Sequence, residues 1–140
     1  MPDKDIVLAK VATIQKCLDR IRDVTGLDPE SLEDIDKQDI FVLNLQRAIQ
    51  ACIDLAAHAI SCENLGLPER VRDNFIILKE KGIIDAELAS KMVKMTGFRN
   101  IAVHNYQTLD LDILKSILAN NLKDIEEFYF ALLHYWGFVQ

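Results

Sequence analysis

Residues 44–60, NLQRAIQACIDLAAHAI, carry apolar side chains on most sides of the helix that their periodicity predicts. A helix that is apolar around most of its circumference must be surrounded by other helices, because it has no wide polar face to turn toward water. We therefore expect a helix over about residues 39–64 at the centre of a helical bundle.

Helical periodicity also dominates the rest of the chain, and no alternating apolar and polar run indicates a strand. The first helix is expected to end at Thr25-Gly26, because glycine tolerates the left-handed conformation of a C-cap. Asp85 is expected to cap the start of the fourth helix. The acidic residues 25–39 are expected to connect the first two helices, and the apolar tail HYWGFVQ to dock on the bundle or on a partner. The predicted helices around the central one cover about residues 5–24, 69–81, 86–106 and 110–135.

Short connections between such helices favour antiparallel neighbours. The prediction is therefore an all-α fold, an antiparallel four-helix bundle with one additional helix, in which residues 1–140 form a single domain.

Composition constrains the partners of the chain. Half of the residues are hydrophobic and the mean hydropathy is +0.07, which is high for a small domain and indicates a homodimer or another partner covering apolar surface. The net charge of −6 and the pI near 5.0 argue against broad, nonspecific binding of nucleic acid, although they permit a local basic cleft. We expect no binding to DNA.

The expected location is the cytoplasm. The chain has three cysteines, Cys17, Cys52 and Cys62, which form no CxxC pair. We expect them to be reduced thiols that are mostly buried. The N-terminus MPDKDIVLAK lacks the apolar region of a signal peptide, and no stretch is expected to span a membrane.

Residues 98–107, FRNIAVHNYQ, place three functional side chains at the end of the fourth predicted helix, as Arg99-x4-His104-x-Tyr106. At about 100° per residue, Arg99 and Tyr106 share a face, whereas His104 lies about 140° away from Arg99. A straight helix would not direct all three to one point. Either the helix loosens near Asn105, or the cleft is wide, or two copies of the chain complete it.

The residue types in this motif suit phosphodiester chemistry without a metal. Histidine exchanges protons near neutral pH, and arginine offers a planar cationic fork to phosphate oxygens. His104 is therefore the candidate general base or acid, Arg99 the candidate phosphate ligand, and Asn100 a candidate for orienting the ring or the substrate. The three histidines lie far apart, so no metal site is expected, nor is any other cofactor.

The central helix carries a polar stripe that includes Asp54 and His58 at a spacing of four residues. One interpretation is that both support the active cleft from behind. The alternative is that the stripe is only the solvent face of that helix.

The motif and its context resemble the HEPN superfamily, whose hallmark is Arg-x4-6-His at the end of a bundle helix, often extended to His-x-Tyr. NLQRAIQACIDLAAHAI, RVRDNFIILKEKGII and MTGFRNIAVHNY occur in the order found in HepT-type toxins, and the resemblance covers nearly the whole chain. It implies a metal-independent endoribonuclease toxin that pairs with a minimal nucleotidyltransferase antitoxin. The resemblance also implies that the antitoxin neutralises the toxin by attaching AMP to Tyr106.

Other interpretations are open on the sequence alone. The chain could be a non-catalytic subunit that binds nucleotides beside a nucleotidyltransferase, or a purely structural helical dimer. Tyr106 could be a ring packed at the helix end. The RNA substrate could be transfer RNA or messenger RNA, since no base-reading module is present.

Overall fold

The computed structural model describes residues 2–138, and these contain helices and no strand, which confirms the all-α prediction. Residues 2–138 form six α-helices. They are α1 (Lys4–Thr25), α2 (Ile35–Glu63), α3 (Asp73–Glu80), α4 (Ala86–His104), α5 (Leu111–Asn120) and α6 (Leu122–Trp136), with two short 3-10 helices at Pro29–Glu33 and Tyr106–Thr108.

Contacts between distant residues define a bundle of α1, α2, α4 and α6. Asp3 and Lys10 at the start of α1 contact His58 and Asp54 in the second half of α2, so these two helices are antiparallel. A side-chain hydrogen bond between Gln50 and Arg99 likewise joins α2 to α4. The short helices α3 and α5 pack outside this bundle, α3 against α2 and α4, and α5 against the first 3-10 helix and α6.

The central position of α2 is confirmed. Phe41, Leu45, Ile49, Cys52 and Leu55 are fully buried along its length. Phe75 of α3 and Phe128 of α6 meet edge to face in the same core, with ring centroids 5.3 Å apart. The fold is thus a continuous apolar core built around one helix.

The same helix bears on the expectation that no stretch spans a membrane. In the part of the chain that the structure describes, α2 is long and apolar enough, by length and composition, to cross a membrane, with a mean hydropathy of 1.3 over its most apolar window. More than half of that window (56%) is buried inside the bundle. The core helix of a bundle satisfies the same criterion, because it too lacks a wide polar face.

The connection between α1 and α2 is shorter than predicted. Gly26 ends α1 in the left-handed conformation at φ 62°, as the Thr25-Gly26 stop indicated. Pro29–Glu33 then form a 3-10 helix that buries Leu32 completely. Asp34 caps α2 by accepting the N–H groups of Asp36 and Lys37, so the helix begins at Ile35 rather than near residue 39.

Three other predicted boundaries also differ. Helix α3 begins at Asp73 instead of residue 69, and α4 begins as predicted after its cap Asp85 but ends at His104 instead of residue 106. The predicted last helix is two helices, α5 and α6, separated at Asn121, so the bundle carries two additional helices rather than one. The apolar periodicity continues across this break, so the sequence pattern did not predict it.

The predicted docking of the tail on the bundle is confirmed as far as Phe138. Trp136 is buried, and the half-buried Phe138 packs against the core with Lys4 Nζ 5.5 Å from its ring centroid. Val139 and Gln140 lie outside the described residues. All three cysteines are free, Cys17 and Cys52 buried and Cys62 half-buried, and burial raises the pKa of Cys17 and Cys52.

Candidate active site

The end of α4 bends the chain between the histidine and the tyrosine of the motif. His104 is the last helical residue, and Asn105 leaves the helix at φ −152° and ψ 59° while its N–H still bonds to the Ile101 carbonyl at 2.8 Å. Tyr106 then opens the second 3-10 helix. The helix therefore loosens at Asn105, which redirects Tyr106, whereas Arg99 and His104 both lie within the regular part of α4.

The Arg99 guanidinium is held by two side chains. Its Nε and Nη2 donate to Gln50 Oε1 at 3.1 and 2.6 Å, and its Nη1 donates to Asn100 Oδ1 at 2.6 Å. A guanidinium has five N–H donors, so two remain available for phosphate oxygens. The half-buried position and the two acceptors set the direction in which the fork points.

Gln50 is itself held by Asp54, one turn further along α2. Its Nε2 donates to Asp54 Oδ1 at 3.0 Å, and Lys10 of α1 donates to Asp54 Oδ2 at 2.9 Å. Lys10, Asp54, Gln50, Arg99 and Asn100 therefore form one hydrogen-bonded chain, which we call the Arg99 network. Three of the predicted site residues, Arg99, Asn100 and Asp54, are brought together in it.

His104 is exposed at the end of α4, and no described residue forms a hydrogen bond with its imidazole. Both ring nitrogens are therefore accessible to a substrate or to another chain. Its position suits proton transfer, because a general base needs direct access to the proton that it takes.

Tyr106 reaches back to the start of α2. Its hydroxyl donates to Asp39 Oδ1, and the residue is 38% exposed. Burial, together with the hydrogen bond to the Asp39 carboxylate, raises the pKa of Tyr106 to about 12. A cavity of about 300 Å³ adjoins the ring and is lined also by Asp39, Val42, Leu43 and Gln46.

His58 lies outside the Arg99 network. Its Nε2 accepts the backbone N–H of Asp3 at 3.2 Å, Cys62 Sγ lies 3.5 Å from the same atom, and Trp136 meets its ring edge to face. Eight residues of helix, about 12 Å, separate it from Gln50. These contacts tie the start of α1 to the ends of α2 and α6.

Sequence reasoning missed Gln50, Lys10 and Asp39 as parts of the site. Gln50 lies one turn before Asp54 on the same polar stripe of the central helix, but a glutamine has no chemical signature of its own. Lys10 and Asp39 are 44 and 67 residues from the partners that they contact, and periodicity carries no information about such pairs. Among residues 2–138, no three His, Cys, Asp or Glu side chains cluster as a metal site would require.

Comparison with known proteins identifies the family. The family described as "Ribonuclease HepT-like" matches residues 14–131. The chain belongs to the ribonuclease HepT-like family. The "mRNA nuclease HepT" of Shewanella oneidensis is 43% identical over 124 residues, which cover 89% of this chain and 93% of that HepT protein.

Solved structures of HepT-like relatives have the same fold. One is a toxin–antitoxin complex with AMP-PNP, which has a TM-score of 0.88 and 40% identity and covers 94% of this chain and 99% of its own. Another is a tri-AMPylated Shewanella oneidensis HEPN toxin in complex with an MNT antitoxin, with a TM-score of 0.88, 41% identity and the same coverage. The resemblance to HEPN toxins is thus confirmed, and with it, at the level of the family, the ribonuclease class.

Proposed function

We propose that this chain is the toxin of a toxin–antitoxin pair and cleaves RNA without a metal ion through Arg99 and His104. The observation that carries the proposal is the Arg99 network, which orients a guanidinium five residues before an exposed histidine at the end of the same helix. The HepT relative named as an mRNA nuclease supports the choice of RNA as substrate.

In the proposed reaction, the 2′-oxygen of a ribose attacks the adjacent phosphorus while the bond from phosphorus to the 5′-oxygen breaks. His104 takes the proton of the 2′-hydroxyl, and a second imidazole protonates the departing 5′-oxygen. The two remaining N–H donors of Arg99 bind the phosphate oxygens, on which negative charge builds up. The products are a 2′,3′-cyclic phosphate and a 5′-hydroxyl.

The second imidazole comes from a second copy of the chain in this proposal. Each chain supplies one motif histidine, but the reaction needs two imidazoles, a base and an acid, at the same phosphate. Ile101 and Val103, on either side of Ala102 in the motif helix, are 47% and 46% exposed, which supports a homodimer contact at this end of α4. A two-fold contact would place two copies of Arg99 and His104 along one cleft.

The proposed partner is a minimal nucleotidyltransferase that neutralises the toxin by attaching AMP to Tyr106. Tyr106 is exposed and its hydroxyl donates to Asp39, whose carboxylate can take the phenol proton as the oxygen attacks the α-phosphate of ATP and pyrophosphate leaves. The added phosphate would compete with RNA for Arg99, and the adenosine would obstruct the cleft. Both partners are proposed to meet in the cytoplasm.

The central test is cleavage of RNA in the presence of EDTA. We expect wild-type protein to leave cyclic phosphate ends, and Arg99→Ala and His104→Ala each to lower the rate about 10²- to 10⁴-fold. His134→Ala, which removes an exposed histidine from α6, is the matched control and should cleave normally. Dependence on Mg²⁺ would contradict the mechanism.

Expression in a bacterial host separates a toxin from a non-catalytic nucleotide-binding subunit. Growth arrest by the wild-type chain that disappears with His104→Ala supports the toxin. Coexpression with the nucleotidyltransferase should restore growth and add AMP to Tyr106, as read by mass spectrometry. Full neutralisation of Tyr106→Phe through the catalytic activity of the antitoxin would contradict the proposed modification site.

A further inference from the structure

A second pocket adjoins the motif at Asn100. Its volume is about 430 Å³, and it lies between the turn before α3, with Arg70 and Arg72, and a face of α4 that includes Gly97 and Asn100. Asn100 Oδ1 accepts a hydrogen bond from Arg99 Nη1. The pocket is therefore continuous with the Arg99 network.

The two arginines give this pocket an unbalanced positive charge. Both are exposed, and neither guanidinium forms an ion pair within residues 2–138, whereas Arg22, Lys91 and Lys115 do. The nearby carboxylate of Asp73 accepts the backbone N–H of Arg70 at 2.9 Å and does not pair with either guanidinium. In a chain of net charge −6, two such cations beside the motif indicate an anionic ligand.

The turn that carries the arginines is held in place before any ligand arrives. The N–H of Asp73 bonds to the Arg70 carbonyl at 3.0 Å, and that of Phe75 bonds to the Arg72 carbonyl at 3.2 Å. Asn74 Nδ2 donates to the Val71 carbonyl at 2.8 Å, and the ring of Phe75 is completely buried. A ligand would therefore order only the arginine side chains, which keeps the entropic cost of binding low.

Gly97 keeps the floor of the pocket open. It lies inside α4 without a left-handed φ, and a Cβ at this position would meet no atom within 4 Å. Neither backbone conformation nor packing within the chain requires a glycine here, and glycine in a helix interior costs about 1 kcal/mol relative to alanine. Its effect is to let a ligand approach the helix backbone closely.

We propose that Arg70 and Arg72, above the floor at Gly97, bind a backbone phosphate of the RNA that flanks the phosphate held by Arg99. This inference rests on the proposed ribonuclease function. The apolar lining of the pocket, Val71 and Val93, is aliphatic, so no aromatic ring is present on which a base could stack. The contact is made to the backbone and contributes affinity without sequence preference.

The test measures binding of a fluorescent single-stranded RNA to the homodimer in the His104→Ala background, so that the RNA stays intact. Arg70→Ala/Arg72→Ala should weaken binding equally for RNAs of different sequence. It should also reduce the slope of log K against log salt by about 0.7 per site, since one phosphate contact on a single strand contributes about 0.7. Arg70→Lys/Arg72→Lys should restore most of the slope, because it keeps the charge.

The matched control is Arg20→Ala/Lys123→Ala, which removes two exposed cations elsewhere on α1 and α6 and should leave most of the slope unchanged. Gly97→Glu, which places a carboxylate in the pocket, should weaken binding as the double alanine variant does. If the wild type cleaves RNA but both pocket variants bind like the control pair, the phosphate site is wrong and the ribonuclease proposal stands. If the wild type neither binds nor cleaves RNA, both are wrong.

Discussion

At the scale of single residues, the Arg99 network explains how a long, flexible side chain acquires a defined direction. Gln50 accepts from two nitrogens of the guanidinium through one oxygen, and Asp54 fixes the amide of Gln50 from the other side. Because Gln50 is neutral, it orients Arg99 without neutralising its charge. The cation thus remains available to a phosphate.

Replacing Gln50 with alanine should therefore lower the turnover number for RNA cleavage by about tenfold to a hundredfold, through loss of this orientation. In the Arg99→Ala background the same change should have little further effect, which a purely structural role would not predict. Gln15→Ala, an exposed glutamine on α1, is the control. Equal effects of Gln50→Ala with and without Arg99 would contradict the positioning role.

The hydrogen bond between Tyr106 and Asp39 should be visible in a titration. We expect the Tyr106 phenol to titrate with a pKa of about 12 and to move down toward the ordinary value of 10.0 in Asp39→Asn. NMR of ring-labelled tyrosine measures this, with Tyr135→Phe removing the overlapping tyrosine whose pKa Glu63 raises through a hydrogen bond.

The sign of the linked effect on stability follows from the raised pKa. The folded state retains the phenol proton between about pH 10 and pH 12, whereas the unfolded chain has lost it. The contribution of this group to the free energy of unfolding is therefore complete below about pH 10 and is lost as the pH rises toward 12. A Tyr106→Phe variant should lack this component of the alkaline destabilisation.

At the scale of helices, aspartate caps define where several elements begin. Asp3, Asp34, Asp85 and Asp110 each accept backbone N–H groups of the first turn of α1, α2, α4 and α5. The cap at Asp34 is the most consequential, because it adds a turn before Asp39 and so places Asp39 inside the central helix instead of at its start. Asp39 can then meet Tyr106.

Asp34→Ala should lower the free energy of unfolding by about 1 kcal/mol, the usual cost of losing an N-cap side chain. Urea denaturation followed by circular dichroism measures the change. Lys37→Ala, in the same first turn but exposed and without an ion pair among the described residues, should have a smaller effect. A loss of the same size in both variants would show that the cap is not the cause.

At the scale of the whole molecule, the exposed apolar residues of the motif helix are proposed to connect assembly with activity. Ile101 and Val103 lie between Arg99 and His104, and their exposed side chains can contact a second copy without leaving the motif. The homodimer is thus proposed to cover apolar surface and to complete the cleft through the same contact.

Ile101→Glu/Val103→Glu should convert the dimer to a monomer by light scattering at micromolar concentration and should abolish RNA cleavage. Burying two carboxylates in an apolar contact without partners is strongly unfavourable. Ile113→Glu, at a residue of α5 that is 53% exposed, should leave both properties intact. A wild-type monomer under these conditions would contradict the proposed assembly.

Local and periodic features of this protein could be predicted from its sequence. The central place of α2 followed from its apolar circumference, the end of α1 from Gly26, and the start of α4 from the cap Asp85, because each depends on residues within a few turns. The motif residues Arg99, His104 and Tyr106 were likewise apparent from their spacing and chemistry.

Only the tertiary structure decided which side chains meet. Gln50 reaches Arg99, Tyr106 reaches Asp39 and Lys10 reaches Asp54 across 44 to 67 residues, and these pairs depend on how the helices pack. The break at Asn121 was also decided there, since Leu118, Leu122 and Ile125 continue one apolar pattern across it while the chain turns to bury them. Periodicity indicates which face of a helix is buried, but only the packing of the helices determines which other helix covers that face.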